Sequence, residues 1–411
     1  MQSKNIPKLL HWWVGSKISD VYISAPMDPI KKWLFHPIKR RIAKYYLVFL
    51  RKIFGLKVIG ITGSVGKTTT KEMVASVLSQ KYRVVLSRDN IDPVYNIPTT
   101  ILRCKPGTQM LVLEMGIEYP GDMDFYFWLA TPDVGVLTSI YYTHTLFLGD
   151  MQGVIKEKGK IVSGLSKNAW AVLNSDDNHV VSIKNQIKAK TILYGTKRAA
   201  QIQAGSIKLT DQLQTKFNLK ISEDSENVTL SLLGDHWVYA ALAAAACGEV
   251  FSIPIEKIKL GLESVGPQNH RMVPLITKKG AVIINDTYNS NPLGAMAALS
   301  ALAKVGEGKK KVAVLGDMLE LGDYEKDGHT EVGTWAAKKE MELLFCIGDN
   351  AEFIKEGAIS GGMKKDKVFV FKNIKDALLD ITKLLDKNVV ILFKASRRLK
   401  FDEIVEQYKN F

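Results

Sequence analysis

An α/β fold in two parts is what this chain of 411 residues predicts: a central domain on a mostly parallel sheet, then a C-terminal Rossmann-like α/β domain. Three observations carry that expectation. Between residue 57 and about residue 200, short apolar runs bounded by turns alternate with helical patterns, the mark of parallel strands joined by crossover helices. A second series of the same kind begins near residue 272. The first run leads straight into a glycine-rich turn and a helix, and the second series has no such turn.

Residues 1–56 precede both series as a basic, aromatic segment. Trp12, Trp13, Trp33, Phe35, Tyr45, Tyr46 and Phe49 are set among Lys31, Lys32, Lys39, Arg40, Arg41, Lys44, Arg51 and Lys52. The apolar run Tyr45–Leu50 is closed by Lys44 and Arg51, far short of the roughly 20 residues a spanning helix needs. Nor does a small-residue cleavage site follow an apolar core, as a signal peptide would require. Two readings of residues 1–55 stay open: an interfacial amphipathic segment on an anionic membrane, or a basic arm packed on the protein body or a partner.

The central domain, residues 57–268, has strand patterns at Lys57–Gly60, Arg83–Leu86, Met110–Met115, Val134–Ser139, Trp170–Asn174 and Thr191–Tyr194. Partial polar alternation at Ile202–Leu209, Thr215–Ile221 and Asn227–Leu233 predicts an antiparallel addition. Ala240–Ala246 then reads as a small-residue helix. Beyond a boundary at Gly266–Asn269, the C-terminal domain, residues 269–411, has strand patterns at Ala281–Asn285, Lys311–Gly316, Leu343–Ile347, Lys367–Phe371 and Asn388–Phe393. The site is expected between the two domains, at strand carboxyl ends.

Composition narrows the function. With 46% apolar residues the chain can build real cores, and Cys104, Cys247 and Cys346 lie too far apart for a CxxC pair. That usage fits a reducing cytoplasm. The net charge of +14 is uneven, because residues 1–57 hold twelve Lys or Arg against Asp20 and Asp28 and so contribute +10 of it. A nucleic-acid-binding face on the body is therefore not expected. On the interfacial reading the protein sits at the inner face of the membrane.

The stretch Val58–Thr70 reads as strand, glycine turn and helix start, which makes the central domain P-loop ATPase-like. Its pattern T-G-x-x-G-K-T-T departs from the strict G-x-x-x-x-G-K-[ST], since Ile61 stands where the first glycine would be. Thr62, Gly63, Ser64, Val65, Gly66, Lys67, Thr68 and Thr69 are the expected polyphosphate-binding residues. Backbone N–H groups approach the phosphates, Lys67 supplies a point charge, and the Thr68 hydroxyl ligates magnesium at a helix N-terminus. Glu114 ends one strand and His144 follows another, so both fall where open α/β sheets place ligands and a phosphate-bound metal. Lys158 stands among Lys156, Glu157 and Lys160, and by itself reads as solvated charge.

Seven segments in order resemble the Mur ligase family, above all its D-alanyl-D-alanine-adding branch. They are T-G-S-V-G-K-T-T-T-K-E from Thr62, L-E-M-G at Leu113–Gly116, His144 followed by I-K-E-K-G-K-I at Ile155–Ile161, and L-N-S-D-D at Leu173–Asp177. N-D-T-Y-N-S-N-P at Asn285–Pro292, L-G-D-M-L-E-L-G at Leu315–Gly322 and K-A-S-R at Lys394–Arg397 complete the set. The resemblance implies an ATP-dependent ligase that activates a carboxylate as an acyl phosphate and joins it to the amine of an amino acid or dipeptide. It also implies two magnesium ions held by Thr68, Glu114, His144 and Lys158, with Lys158 carbamylated and Lys67, His144, Lys158 and Arg271 catalytic. Asp317 is implied at the ATP ribose, and Tyr288, Asn289, Asn291, Lys394 and Arg397 at the substrate.

Some positions depart from the family pattern. His236-Trp237-Val238-Tyr239-Ala240 stands where the family has H-N-x-x-N, so both asparagines are replaced, and Trp237 is either an adenine stack or a core residue. Asn285, Lys160 and Ala395 replace a family Asp, Glu and Gly. Residues 1–56 show no alternating pattern of the kind the family's N-terminal UDP-substrate domain has, and that domain is expected to be lacking. The substrate is then a small-molecule or lipid-linked muropeptide in cell-wall synthesis. A ligase for a different polymer, or an ATP-regulated binding protein on the same fold, are the alternatives.

Overall fold

A computed structural model describes residues 8–15, 18–88 and 91–408; residues 1–7, 16 and 17 of the basic segment lie outside the described residues. The chain divides into two compact units, one of residues 1–205, 218–228 and 239–265, the other of residues 206–217, 229–238 and 266–411.

The large sheet contains β1 (Lys57–Thr62), β2 (Val84–Leu86), β3 (Met110–Glu114), β4 (Val134–Leu137), β5 (Trp170–Asn174), β6 (Lys190–Gly195), β7 (Ile202–Leu209), β8 (Thr215–Ile221) and β9 (Asp224–Leu230). Their order is β2-β3-β1-β4-β5-β6-β7-β8-β9, and the pairs from β2 through β7 are parallel. Helices cover such strands on both faces, which is why β1 is buried from Val58 to Thr62 and reads as a continuous apolar run. The register Ile61↔Glu114 and Thr62↔Leu137 brings the ends of β3, β1 and β4 to one edge. The glycine-rich turn leaves from that edge.

The second sheet contains β10 (Val273–Ile276), β11 (Val282–Asp286), β12 (Lys310–Gly316), β13 (Leu343–Ile347), β14 (Val368–Phe371) and β15 (Val389–Lys394), in the order β10-β11-β15-β12-β13-β14. All its pairs are parallel except β10 with β11. The parallel strands fall within two residues of their expected positions. Three details differ from expectation: β9 ends at Leu230 rather than Leu233, the helix expected at Ala240–Ala246 runs His236–Val250, and β10 was not foreseen, since Pro274 masks an edge strand that tolerates a missing N–H.

The basic segment is largely helical. Helices Lys8–Gly15 and Asp20–Ser24 and a π-helical turn, Lys31–Phe35, lead into the nineteen-residue helix His36–Phe54. Its face of Pro37, Arg40, Ala43, Leu47 and Leu50 is buried on helices Pro93–Arg103 and Asp122–Ala130. Arg40 is buried; its guanidinium donates to the Val14 carbonyl at 2.8 Å and lies 5.3 Å from the Phe125 ring centre, and the Asp92 carboxylate favours its charge. Tyr46 donates to the Cys104 carbonyl, and Arg51 pairs with Asp133 at 2.9 Å. One face of this segment is thus packed on the body, as one of the two readings expects.

Candidate active site

The turn after β1 is shaped to expose backbone N–H groups. Gly63 has φ +149°, and a Cβ there would meet Thr138 Oγ1 at 2.0 Å; Gly66 has φ +79° and caps helix Lys67–Ser79. Both conformations favour glycine. The turn is tied to the exit of β4: Ser64 N donates to the Ser139 carbonyl, Thr138 Oγ1 donates to the Val65 carbonyl, and Ser64 Oγ donates to the Tyr141 carbonyl. Thr62 Oγ1 donates to the Met115 carbonyl at 2.6 Å, and Thr69 is buried on the first helical turn.

Lys67 curls back, its Nζ donating to the Gly63 carbonyl at 3.0 Å, while Thr68 Oγ1 lies 3.3 Å from Glu114 Oε1. Glu114 N donates to Ser87 Oγ at 3.0 Å, which fixes the strand end. His144 caps the short helix Thr145–Leu148 in a left-handed conformation with φ +56°. Among the described residues no three His, Cys, Asp or Glu side chains gather as a metal cluster. The expected set has only two such members, its others being a hydroxyl and a lysine.

That lysine is the most informative side chain in this unit. Lys158, on helix Met151–Ser163, is fully buried and its Nζ has no hydrogen-bond partner. Burial drives its ammonium well below the ordinary range, the charge of Lys67 adds to this, and Asp122 and Glu157 oppose it. Burial therefore favours the uncharged amine at this position. Sequence reasoning found Lys158 through the family resemblance but missed what surrounds it. Glu157 Oε1 accepts from Gly121 N and Met123 N, and Asp122 Oδ2 accepts from Glu118 N and Tyr119 N. Burial pushes the Asp122 carboxyl up to about 7. These carboxylates hold the loop that leaves β3, and their only sequence signal was to be read as ordinary helix-start and solvated charge.

The second unit gathers most of the remaining expected residues. Lys394, at the end of β15, is buried and pairs with Asp286 at the end of β11, 2.5 Å away; its Nζ also donates to the Asn289 carbonyl. The Tyr288 ring lies 4.0 Å from the Arg271 guanidinium and 5.5 Å from that of Arg397. Asn289 Oδ1 accepts from Ser290 N, and Asn291 Oδ1 accepts from Gly294 N as the cap of helix Pro292–Val305. Asp317 accepts from Asp349 N and Asn350 N, so its carboxylate anchors the loop after β13. Trp237 is buried with no partner for its indole N–H, and burial lowers the neighbouring His236 imidazole to about 4.

Two family models match this chain: Mur ligase middle domain over residues 61–248, and Mur ligase, glutamate ligase domain over residues 270–397. The UDP-N-acetylmuramoyl-tripeptide–D-alanyl-D-alanine ligase of Bacillus subtilis is 35% identical over 367 residues, 89% of this chain and 78% of that protein. The chain belongs to the Mur ligase family. Among solved structures it is similar to MurF from Acinetobacter baumannii, with a TM-score of 0.82 at 27% identity over 90% of this chain and 80% of that one. It is likewise similar to the MurF ligase of Thermotoga maritima in complex with ADP, with a TM-score of 0.79 at 26% identity over 90% and 83%. As a Mur ligase it is an ATP-dependent enzyme that forms a carbon–nitrogen bond. The chain's own donors fit that chemistry: a turn whose conformations favour glycine, a hydroxyl beside a carboxylate, and a buried amine without a hydrogen-bond partner.

Proposed function

We propose that this protein joins D-alanyl-D-alanine, or a dipeptide like it, to the terminal carboxylate of a muramoyl-tripeptide, with ATP split to ADP and phosphate. The 35% identity to the Bacillus subtilis ligase across nine-tenths of the chain supports this substrate pair. The observation that carries the mechanism is the buried, unpartnered Lys158 amine on the unit that bears the phosphate turn. The uncharged amine adds to carbon dioxide and gives up a proton to solvent, and the resulting carbamate makes this position an anionic oxygen donor. Thr68, Glu114, His144 and the Lys158 carbamate would hold magnesium, which neutralises phosphate charge when bound.

The chain's own residues do the rest by position and charge. The N-terminus of helix Lys67–Ser79, capped by Gly66, and the Lys67 ammonium would lie at the phosphates and stabilise charge on the transferring phosphoryl group. The substrate carboxylate attacks the γ-phosphorus, the bond to the β-phosphate oxygen breaks, and ADP leaves with that electron pair. The dipeptide amine then adds to the acyl phosphate and expels phosphate. In the second unit Arg271 and Arg397 present two cations across the Tyr288 ring, a frame suited to carboxylate and phosphoryl oxygens. Lys394, neutralised by Asp286, positions the Asn289 segment.

We also propose that residues 1–55 hold the enzyme peripherally at the inner membrane face; no helix among the described residues is long and apolar enough to cross a membrane. Incubation with ATP, the dipeptide and either a UDP-linked or a lipid-linked tripeptide tests the reaction. A product heavier by the dipeptide less one water, formed with stoichiometric phosphate, is expected; ATP turnover without coupled product in every combination would refute the substrate assignment.

A further inference from the structure

The helix His36–Phe54 is apolar on both faces. One face is buried on the body, yet of its side chains that are exposed, Ile38, Ile42, Tyr45, Val48, Phe49, Ile53 and Phe54 are large and apolar. At about 100° per residue, Ile38, Ile42, Tyr45, Phe49 and Ile53 fall within an arc of roughly 80°, opposite Arg40, Ala43, Leu47 and Leu50. Leu34 and Phe35 extend the stripe through the π-helical turn, at 53% and 55% exposure. Thirteen of the twenty large exposed apolar side chains among the described residues lie between Leu9 and Phe54. Scattered apolar residues are normal on a surface; a continuous stripe of this kind marks an interaction face.

Its surroundings say what covers it. Lys39, Arg41 and Lys52 fall at the margins of the arc, and Lys31 is exposed at the turn that precedes it. Between Asp28 and Glu72 the chain has no acidic residue. Arg41 donates to the carbonyls of Trp12 and Trp13 and lies 4.8 Å and 5.0 Å from their ring centres, so the first helix is fixed beside the stripe. Leu9 and the 60%-exposed Trp12 are thereby added to the same region. An apolar strip edged by cations, with an indole at its border, complements acyl chains beneath anionic headgroups.

We propose that the face Leu34, Phe35, Ile38, Ile42, Tyr45, Phe49 and Ile53 is a membrane-docking surface that embeds in an anionic phospholipid bilayer, the helix lying in the plane of the membrane while its opposite face stays packed on the catalytic unit. This rests on the peripheral-membrane reading of residues 1–55 and names the face, its orientation and its lipid. The buried face makes the docking rigid: the body is held at the surface by a packed helix, not by a loose tail. Embedding the stripe excludes a detached arm as the anchor.

Full-length protein, a variant Ile42→Ser/Phe49→Ser and a variant Lys31→Glu/Lys52→Glu are sedimented with phosphatidylcholine vesicles, with and without about a third phosphatidylglycerol. The wild type is expected on the anionic vesicles only, and less as salt rises. Each variant is expected to lose about 10-fold or more in partitioning while melting as the wild type does, because the substituted positions are exposed. If the wild type binds neither vesicle, the membrane reading itself falls. If the wild type binds and the Ser variant binds equally well, only the face is wrong. Concentration-dependent dimerisation of the wild type without vesicle binding, abolished in the Ser variant, would make the stripe a contact with a second copy and overturn the proposal.

Discussion

Replacing Lys158 by Met should make this protein more stable and inactive at once. The side chain is fully buried, its Nζ meets no acceptor, and burial disfavours its charge. Leaving a buried donor unpaired costs about 1–3 kcal/mol, and Met fills a similar volume without one. For a unit of about 240 residues each kcal/mol is worth about 2–4 °C in melting temperature, so a rise of roughly 2–12 °C is expected at pH 7. The sign with pH is also fixed. The Lys158 pKa is lower folded than unfolded, so the unfolded chain binds more protons and wild-type stability rises with pH toward the unfolded value, by at most about 1.4 kcal/mol per unit. The Met variant lacks that dependence, and its advantage should shrink between pH 7 and pH 9. Thermal unfolding in carbon-dioxide-free buffer, followed by circular dichroism, measures both quantities. A variant that melts lower than wild type, or an advantage that does not change with pH, would refute the claim that this amine is buried, unpaired and neutral.

Other perturbations follow from the same geometry. Lys67→Ala should lower ATP turnover about 100-fold or more with little change in melting, because its charge faces phosphate; steady-state phosphate release checks this. Asp286→Asn leaves the buried Lys394 ammonium without its counter-charge and should cost the second unit about 3–5 kcal/mol in urea unfolding, most of it recovered in Asp286→Asn/Lys394→Met. Tyr288→Leu removes the ring between Arg271 and Arg397, and with about 0.5–1 kcal/mol per cation–π contact it should raise KM for the carboxylate substrate up to about 10-fold and leave the KM for ATP unchanged. Wild type equilibrated with 13C-bicarbonate should show a carbamate carbon resonance that Lys158→Met lacks; the same spectrum from both would place any carbamate elsewhere.

Much of the fold was legible because parallel strands buried on both faces, such as Val58–Thr62 and Val389–Lys394, are continuous apolar runs that few other elements imitate. The glycine-rich turn was legible for a similar reason: Gly63, Gly66, Lys67 and Thr68 lie close together in sequence. What escaped is what tertiary packing decides. Nothing local tells Glu157, buried on the backbone of Gly121 and Met123, from the exposed charge of Lys156 beside it. The pairing of Asp286 with Lys394 joins ends of neighbouring strands more than a hundred residues apart. The helix His36–Phe54 carries a clear amphipathic period, but nothing local tells which of its apolar side chains pack on the body and which stay exposed. Asn291, expected at the substrate, is accounted for by its helix cap, a signal already present in Asn-Pro.

The central claim, that this Mur ligase activates a carboxylate as an acyl phosphate on the Lys67 cradle, has a direct measurement. A tripeptide substrate carrying 18O in its terminal carboxylate is turned over with ATP and the dipeptide, and the phosphate released is examined by mass spectrometry. One 18O per phosphate formed is the predicted result, since the carboxylate oxygen that attacks the γ-phosphorus leaves with it when the amide forms. Unlabelled phosphate alongside amide product would contradict the account.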